Sequence, residues 1–462
     1  LQEVRADIDW RTAEFEIGRC HPMTKKEHLK TSISTLGPAK ITSPMVTKAN
    51  EMGTPCFISE ERVLVNIVEN DVIKAGKSRR QLLSFERAGP RCKIFFDPSK
   101  LRCAVVTCGG LCPGTNDIIR AIVLALHHNY GVRNIYGMRY GFQGFIPSYG
   151  HELIDLTPDF VRDIHEDGGT VLGSSRGPQD IESIVDALER MNISLLFTIG
   201  GDGTMMASTK IADAIHKRGL KIGVIGVPKT IDNDISLIDR SFGFDTAVDV
   251  AVNVIRSAHN EATSAPNGIG LVKLMGRHSG FIAVAATLAM PVVNFVLIPE
   301  ADFDLEGPAG FFEALKKRLI SRKHAVIVVA EGAGQRFFED KPKQQDASGN
   351  IRLHDIGLFL KEAMTDHFRK EKMEITLKYI DPSYMIRSVS ANTNDGVLCG
   401  LLARSAVHAG MAGKTKMLVG LCNNQFVHIP IEATVGKRKQ VDCNGDMWMS
   451  VLETTGQPSL NN

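Results

Sequence analysis

The chain has 462 residues, 43% hydrophobic and 23% charged, as expected of a globular protein with two or three domains. That excludes a collagen-like, low-complexity or mostly disordered chain. With 54 basic and 52 acidic residues the net charge is +2, so neither nucleic acid nor an anionic membrane is demanded as a partner.

The first residues, LQEVRADIDW, are charged throughout and do not read as a secretory signal. Nine scattered cysteines, with no Cys-x-x-Cys pair, fit a reducing compartment better than a disulfide framework. The expected location is cytoplasmic. Residues 1–97 form a polar extension. Its apolar pieces Val63-Leu64-Val65 and Ile67-Val68 suggest some order, and its basic cluster Lys74, Lys77, Arg79 and Arg80 reads as a solvated turn.

From about residue 100 the pattern becomes strand, Gly-rich turn, helix, repeatedly. Ala104-Val105-Val106, Leu195 to Ile199, Ile222 to Ile225, Gly270 to Val272, Phe295 to Ile298 and Ala325 to Val329 are short unbroken apolar runs. Such runs mark strands buried on both faces. Helical patterns lie between them, as at Asp180 to Met191 and Met205 to Arg218. The alternation predicts doubly wound α/β domains with mostly parallel sheets. The unit Ala104 to Ala125 is loosely echoed by Leu271 to Ala286, a hint of two related sheets. Phe281 to Pro299 is uncharged and long enough to span a bilayer, but Pro291 divides it. It reads as a buried helix followed by a central strand. Phe337 to His354 is polar and reads as a surface loop.

In open α/β sheets ligands bind beyond the carboxyl ends of strands, so the turns there hold the candidate chemistry. Cys108 to Asp117 contains Gly109, Gly110 and Gly114 and opens a helix. Glycines let phosphate oxygens approach backbone N–H groups, and a helix N-terminus favours an anion. A plain tight turn has the same composition. Cys108 and Cys112 have no partner set for a metal. Gly200-Gly201-Asp202-Gly203-Thr204 sets a carboxylate in a second such turn. Beside polyphosphate that charge calls for Mg²⁺ between them; the alternative is a helix cap. Val227 to Ile235 packs Lys229, Thr230, Asp232 and Asp234 into one loop. A carboxylate there is a candidate proton acceptor, worth about 10²–10⁴ in rate. Lys229 and Thr230 are candidate donors to a phosphoryl group in flight. Gly173 to Gly177 carries Arg176, whose guanidinium suits phosphate oxygens.

These loops, in this order, resemble those of the 6-phosphofructokinases over roughly residues 100–430. The resemblance rests on GGLCPGTND, GGTVLGSSRGPQD, IGGDGT, PKTIDNDI, LMGRHSGFIA, AEGAGQ and YIDPSYMIRS. PKTIDND and YIDPSYMIR point to the longer, pyrophosphate-type branch. The resemblance implies transfer of a phosphoryl group to the 1-hydroxyl of fructose 6-phosphate, using Mg²⁺ and ATP. Asp232 would be the general base, supported by Asp234, with Thr230 on the transferring group and Asp202 organising the metal. Gly109, Gly110, Arg176, Gly177, Gly201, Gly203 and Thr204 match nucleotide-binding positions, and Phe142 the aromatic beside adenine. Met275, Gly276, Arg277, Glu331, Tyr384 and Arg387 match the sugar-phosphate side, with Lys378 as helper and His278 an exposed bystander.

The resemblance further implies a nucleotide domain of residues 98–244 with 386–440, and a sugar domain of 245–385. The tail is 441–462, and the extension 1–97 would pack at subunit contacts of a dimer or tetramer. Two features bear on the donor. Gly203 leaves room for the nucleotide's α-phosphate where pyrophosphate users place a second Asp, whereas Lys229 is a pyrophosphate-type residue. ATP is the expected donor because an acidic side chain at 203 would exclude it sterically. Pyrophosphate is the alternative, and a non-catalytic regulatory subunit the second. Gly268 replaces an Arg that short bacterial enzymes reach across from a neighbouring subunit, so Lys273 or Lys378 is expected to help hold the sugar phosphate.

Overall fold

The computed structural model describes residues 30–53, 57–65, 82–340, 342 and 351–462. Ile67-Val68 and the basic cluster at 74–80 lie outside the described residues. Two main sheets organise the chain. The larger runs, from edge to edge, Arg62–Leu64, Ser84–Arg87, Gln425–Pro430, Met417–Cys422, Gly223–Pro228, Leu195–Gly200, Arg102–Thr107, Asn134–Met138, Leu153–Asp155. Its five central strands, Met417–Cys422 through Asn134–Met138, pair in parallel, and antiparallel strands flank them on both sides. Two of those flanking strands come from the segment read as an N-terminal extension. The smaller sheet is all parallel, in the order Phe295–Leu297, His324–Ala330, Gly268–Leu274, Thr376–Ile380.

Alternation along the central strands produces the layering. Ala104, Val106, Leu196 and Val224 pack on one face against helices Ile181–Arg190 and Asp202–Lys217. Cys103, Val105, Phe197 and Ile225 face the opposite side, under helices Thr115–Leu124 and Thr393–Met411. The smaller sheet divides in the same way. Ile269, Leu271, Ile327 and Val329 pack on helices Phe311–Arg322 and Ile356–Lys370. Val272, Leu274, Val326 and Val328 instead join the core of the larger sheet, through helices Phe244–Thr263 and Phe281–Ala289. One continuous apolar core therefore links both sheets.

The uncharged stretch from Phe281 is a buried helix, Phe281–Ala289, then a strand, Phe295–Leu297. That strand lies at the edge of its sheet, not its centre. The expectation failed because a strand covered on both faces reads the same wherever it sits. Its outer rung is completed by one side chain: Gln457 Oε1 accepts from the Val296 N–H at 2.7 Å, and its Nε2 donates to the Val296 carbonyl at 3.3 Å. No helix among the described residues is long and apolar enough to cross a membrane.

The polar stretch 337–354 is a surface loop only in part. Phe338 is buried, with its ring stacked on His354 at 5.0 Å. No disulfide occurs among the described residues; Cys108 and Cys112 are buried thiols that desolvation pushes up to about 12. That is the behaviour of core thiols.

Candidate active site

Three parallel strands deliver the glycine-bearing loops to one end of the larger sheet. Arg102–Thr107 leads through Gly109 and Gly110 to helix Thr115–Leu124, and Leu195–Gly200 leads straight into helix Asp202–Lys217. Gly109 has φ +84°, a left-handed backbone that favours glycine. Gly201 caps the second helix with no side-chain hydrogen bond to its first N–H groups. A Cβ added at Gly203 would meet nothing within 4 Å: the space beside it is open. The turn 173–177 is tied to the first loop, with Ser174 Oγ donating to the Gly109 carbonyl at 2.6 Å.

Strand Gly223–Pro228 feeds the acidic loop. Thr230 Oγ1 accepts from the Asp232 N–H at 3.1 Å and donates to Asp234 Oδ1 at 3.2 Å. Asn233, between the two acids, has φ +53°, and its Oδ1 accepts from the Ser241 N–H at 3.0 Å. Asn tolerates that left-handed turn better than most residues. The Asp232 Oδ1 atom is buried with no hydrogen-bond partner among the described residues. Burial first, then the charges of Asp234 and Glu331, push its carboxyl up to about 8. A backbone hydrogen bond from Arg277 opposes the shift.

A cleft of about 1150 Å³ opens above these loops. Gly109, Gly110, Phe142, Arg176, Gly177, Gly201, Asp202, Gly203, Thr204 and Lys229 line one side of it. Met275, Arg277, Glu331, Tyr384 and Arg387 line the other. Lys229 is buried and donates to the Gly110 carbonyl; burial lowers its pKa, and Arg387 and Arg176 add to the shift. Three cations thus converge, the electrostatics of a phosphate-binding site. Opposite, Glu331 is raised by burial while Arg277, Lys273 and Arg387 hold it down. Arg277 Nε is itself buried and unpaired among the described residues. Gly276 has φ +129°, and a Cβ there would lie 2.6 Å from the Ser279 carbonyl. Ser279 Oγ donates to the Asp232 carbonyl at 3.4 Å, which sets the acidic loop against the 275–279 loop.

Not every expected residue reaches the cleft. Lys378 is exposed on its strand and His278 is exposed too, both outside the lining residues; Thr230, Asp232, Asp234 and Gly276 are likewise not among the lining residues. Lys273 does line the cleft, but its Nζ is held by Asp355 and Asp381, each at 2.8 Å. Both carboxylates are spent on that lysine. A Cβ at Gly268 would lie 2.0 Å from the Ala262 carbonyl, so a longer side chain has no room at this position.

Sequence reasoning missed Arg438. Its guanidinium pairs with Asp202 Oδ2 at 2.9 Å and with Asp234 Oδ2. GKRKQVD reads as a charged surface run, with no local signal of that contact. Lys210 and Arg352, also in the lining, were missed for the same reason.

The donor set suits magnesium. No three His, Cys, Asp or Glu side chains form a metal-holding group among the described residues. Mg²⁺ is typically held by one or two carboxylates together with substrate phosphates. Asp202 and Asp234 share one cation, the guanidinium of Arg438, so their carboxylates already face a common positive centre.

The family model "Phosphofructokinase" matches residues 102–410. An "ATP-dependent 6-phosphofructokinase" of Borreliella burgdorferi is 50% identical over 440 residues, covering 94% of this chain and 98% of its own. A protein of the same description from Amycolatopsis methanolica is 45% identical over 435 residues, covering 92% and 95%. "ATP-dependent 6-phosphofructokinase 1" of Arabidopsis thaliana is 51% identical over 380 residues, covering 81% and 80%. A solved pyrophosphate-dependent phosphofructokinase from Marinobacter aquaeolei superposes with a TM-score of 0.63, covering 78% of this chain and 92% of its own. At 20% identity that likeness speaks to the fold alone. From loops, cleft and relatives together, the chain belongs to the phosphofructokinase family.

Proposed function

We propose that this cleft moves the terminal phosphoryl group of magnesium-bound ATP onto the 1-hydroxyl of fructose 6-phosphate, yielding fructose 1,6-bisphosphate. The observation that carries the proposal is the orphaned Asp232 Oδ1, buried in a carboxyl that Asp234 and Glu331 act on and that accepts a hydrogen bond from the Arg277 backbone. A buried acceptor atom of that kind wants a proton donor, and the sugar hydroxyl supplies one.

Phosphoryl transfer depends on positioning and charge neutralisation more than on covalent help from the protein. Asp232 accepts the hydroxyl proton. Thr230, whose hydroxyl proton rests on Asp234, turns it to the group in flight. Lys229 and Arg176 neutralise the donor's phosphate oxygens, and Arg387 those of the sugar phosphate. Gly109, Gly110, Gly177, Gly201, Gly203 and Thr204 border the nucleotide, with Phe142 beside its base. Met275, Gly276, Arg277, Glu331 and Tyr384 hold the sugar phosphate; Lys378 stays outside that group. Asp202 would organise Mg²⁺, which lowers the charge barrier to nucleophilic approach when bound.

The larger sheet thus serves the nucleotide and the smaller sheet the sugar. The cytoplasm is the proposed location. A homo-oligomer is the proposed assembly, supported by exposed apolar residues Tyr384, Met385, Val397 and Leu401 around the cleft mouth and the adjoining helix. Sedimentation that finds only monomers at working concentration would remove it.

The deciding experiment is initial rate against ATP and against pyrophosphate at fixed fructose 6-phosphate. ATP is expected to support turnover because the space beside Gly203 is open. Pyrophosphate is the second reading, favoured by the buried Lys229. Binding of the sugar phosphate with no turnover on either donor would instead identify a regulatory subunit.

A further inference from the structure

The segment from Lys437 to Cys443 crosses between the acidic loop and the sugar-side loop. Lys439 N–H donates to the Asp234 carbonyl at 2.8 Å, and Lys439 Nζ donates to the carbonyls of Ile238 and Asp239, both at 2.9 Å. Gln440 Nε2 donates to the His278 carbonyl at 3.2 Å, and Val441 N–H to Glu300 Oε1 at 2.8 Å. The chain just after Arg438 is therefore pinned, while the Arg438 side chain remains 37% exposed. That side chain spans Asp202 and Asp234, from two different loops.

Two carboxylates at a half-buried site repel each other unless a cation lies between them. Asp234, only 5% exposed, needs one most. A guanidinium and a divalent metal compete for the same oxygens, Asp202 Oδ2 and Asp234 Oδ2. We propose that Arg438 is a resident counter-ion of the donor site, a positioning residue that keeps the acidic loop assembled before the donor arrives and is displaced from Asp202 by the metal. The exchange rests on the assignment of Asp202 to the donor's metal. It needs only a rotation of one half-exposed side chain, because the backbone anchors of the segment do not involve the guanidinium.

The test is Mn²⁺ binding to the nucleotide-free protein, read from the electron paramagnetic resonance of free Mn²⁺. Wild type, Arg438→Gln, Arg438→Lys, Asp202→Asn and the Arg438→Gln/Asp202→Asn double variant are compared. Arg438→Gln is expected to bind Mn²⁺ about five- to tenfold more tightly than wild type, the scale of the part-exposed Arg438–Asp202 pair that the metal replaces. Arg438→Lys should fall nearer to wild type, and the double variant should lose the gain. An unchanged Mn²⁺ affinity in Arg438→Gln overturns the counter-ion role. If Asp202→Asn still weakens Mn²⁺–ATP binding in that case, the assignment of Asp202 stands by itself. A gain that survives Asp202→Asn overturns both.

On the wild-type protein, phenylglyoxal labelling mapped by mass spectrometry reads the same exchange without any substitution. Arg438 should label faster with Mn²⁺–ATP bound than without it. Protection by Mn²⁺–ATP would make Arg438 a direct phosphate ligand and overturn the proposal.

Discussion

Asp232 carries a carboxyl that burial and two acidic neighbours drive toward the neutral form, whereas a proton acceptor must be ionised. The sign of the pH dependence follows. In the free enzyme Asp232 is protonated below about 8, so kcat/KM should fall as pH drops through that region, far above the ordinary carboxylate range. Asp234→Asn removes one of the charges raising it and should move the acidic limb to lower pH; an unmoved limb would detach Asp232 from the profile. Asp232→Asn should reduce kcat by about 10²–10⁴ with little change in KM for either substrate. Steady-state kinetics at saturating substrate checks this, and near-normal kcat would strip Asp232 of its role. Gly203→Asp should leave thermal stability nearly unchanged, since the added Cβ meets open space, but should raise KM for ATP. Asp232 and Asp234 were legible because polar residues crowd one strand end. Asn233 was not, because nothing in an Asn announces a left-handed turn rather than an ordinary one. Arg438 was not either: it reaches Asp234 from 204 residues away.

At the scale of elements, two features of the smaller sheet carry measurable energy. Lys273, from strand Gly268–Leu274, joins Asp381 to Asp355, and Asp355 also caps helix Ile356–Lys370 through the Leu358 N–H at 3.0 Å. One lysine therefore ties two strands' ends to a helix start. Lys273→Met leaves both carboxylates uncompensated. It should cost about 1–3 kcal/mol in urea unfolding, less than a fully buried pair because both aspartates are partly open. Gly268 begins the same strand under helix Phe244–Thr263. Gly268→Arg should destabilise by at least about 1–3 kcal/mol, as overpacking does, and should not create a new phosphate contact. A stable, active Gly268→Arg protein would show that the helix yields easily. The parallel strands were legible as unbroken apolar runs such as Leu195–Gly200. Ser84–Arg87, with sequence SFER, was not, because a short strand with one apolar residue among polar ones reads like any exposed segment.

Over the whole molecule, the cleft draws its walls from both sheets, while the apolar core beneath runs unbroken from one to the other. Ligands on the two sides should therefore stabilise one cooperative unit. Saturating either substrate at a hundred times its Kd adds about 2.7 kcal/mol, and a raised, still single, thermal transition is expected. Two separate transitions in calorimetry would refute that coupling. The presence of mostly parallel sheets was readable from repeated strand–turn–helix units, but their shared core was not, since sequence periodicity says which face is apolar and not what covers it. The amide of Gln457 at Val296 has a last consequence for solution behaviour. A bare strand margin is a template onto which a second chain can zip, and small α/β sheets are vulnerable there. Here a six-residue C-terminal stretch, from Gln457 to Asn462, acts as a plug for that margin, anchored again where the Asn462 N–H meets Asp304 at 3.0 Å. Trimming those last residues, a routine step in making truncated proteins, would expose the margin and turn a harmless-looking deletion into a source of self-association.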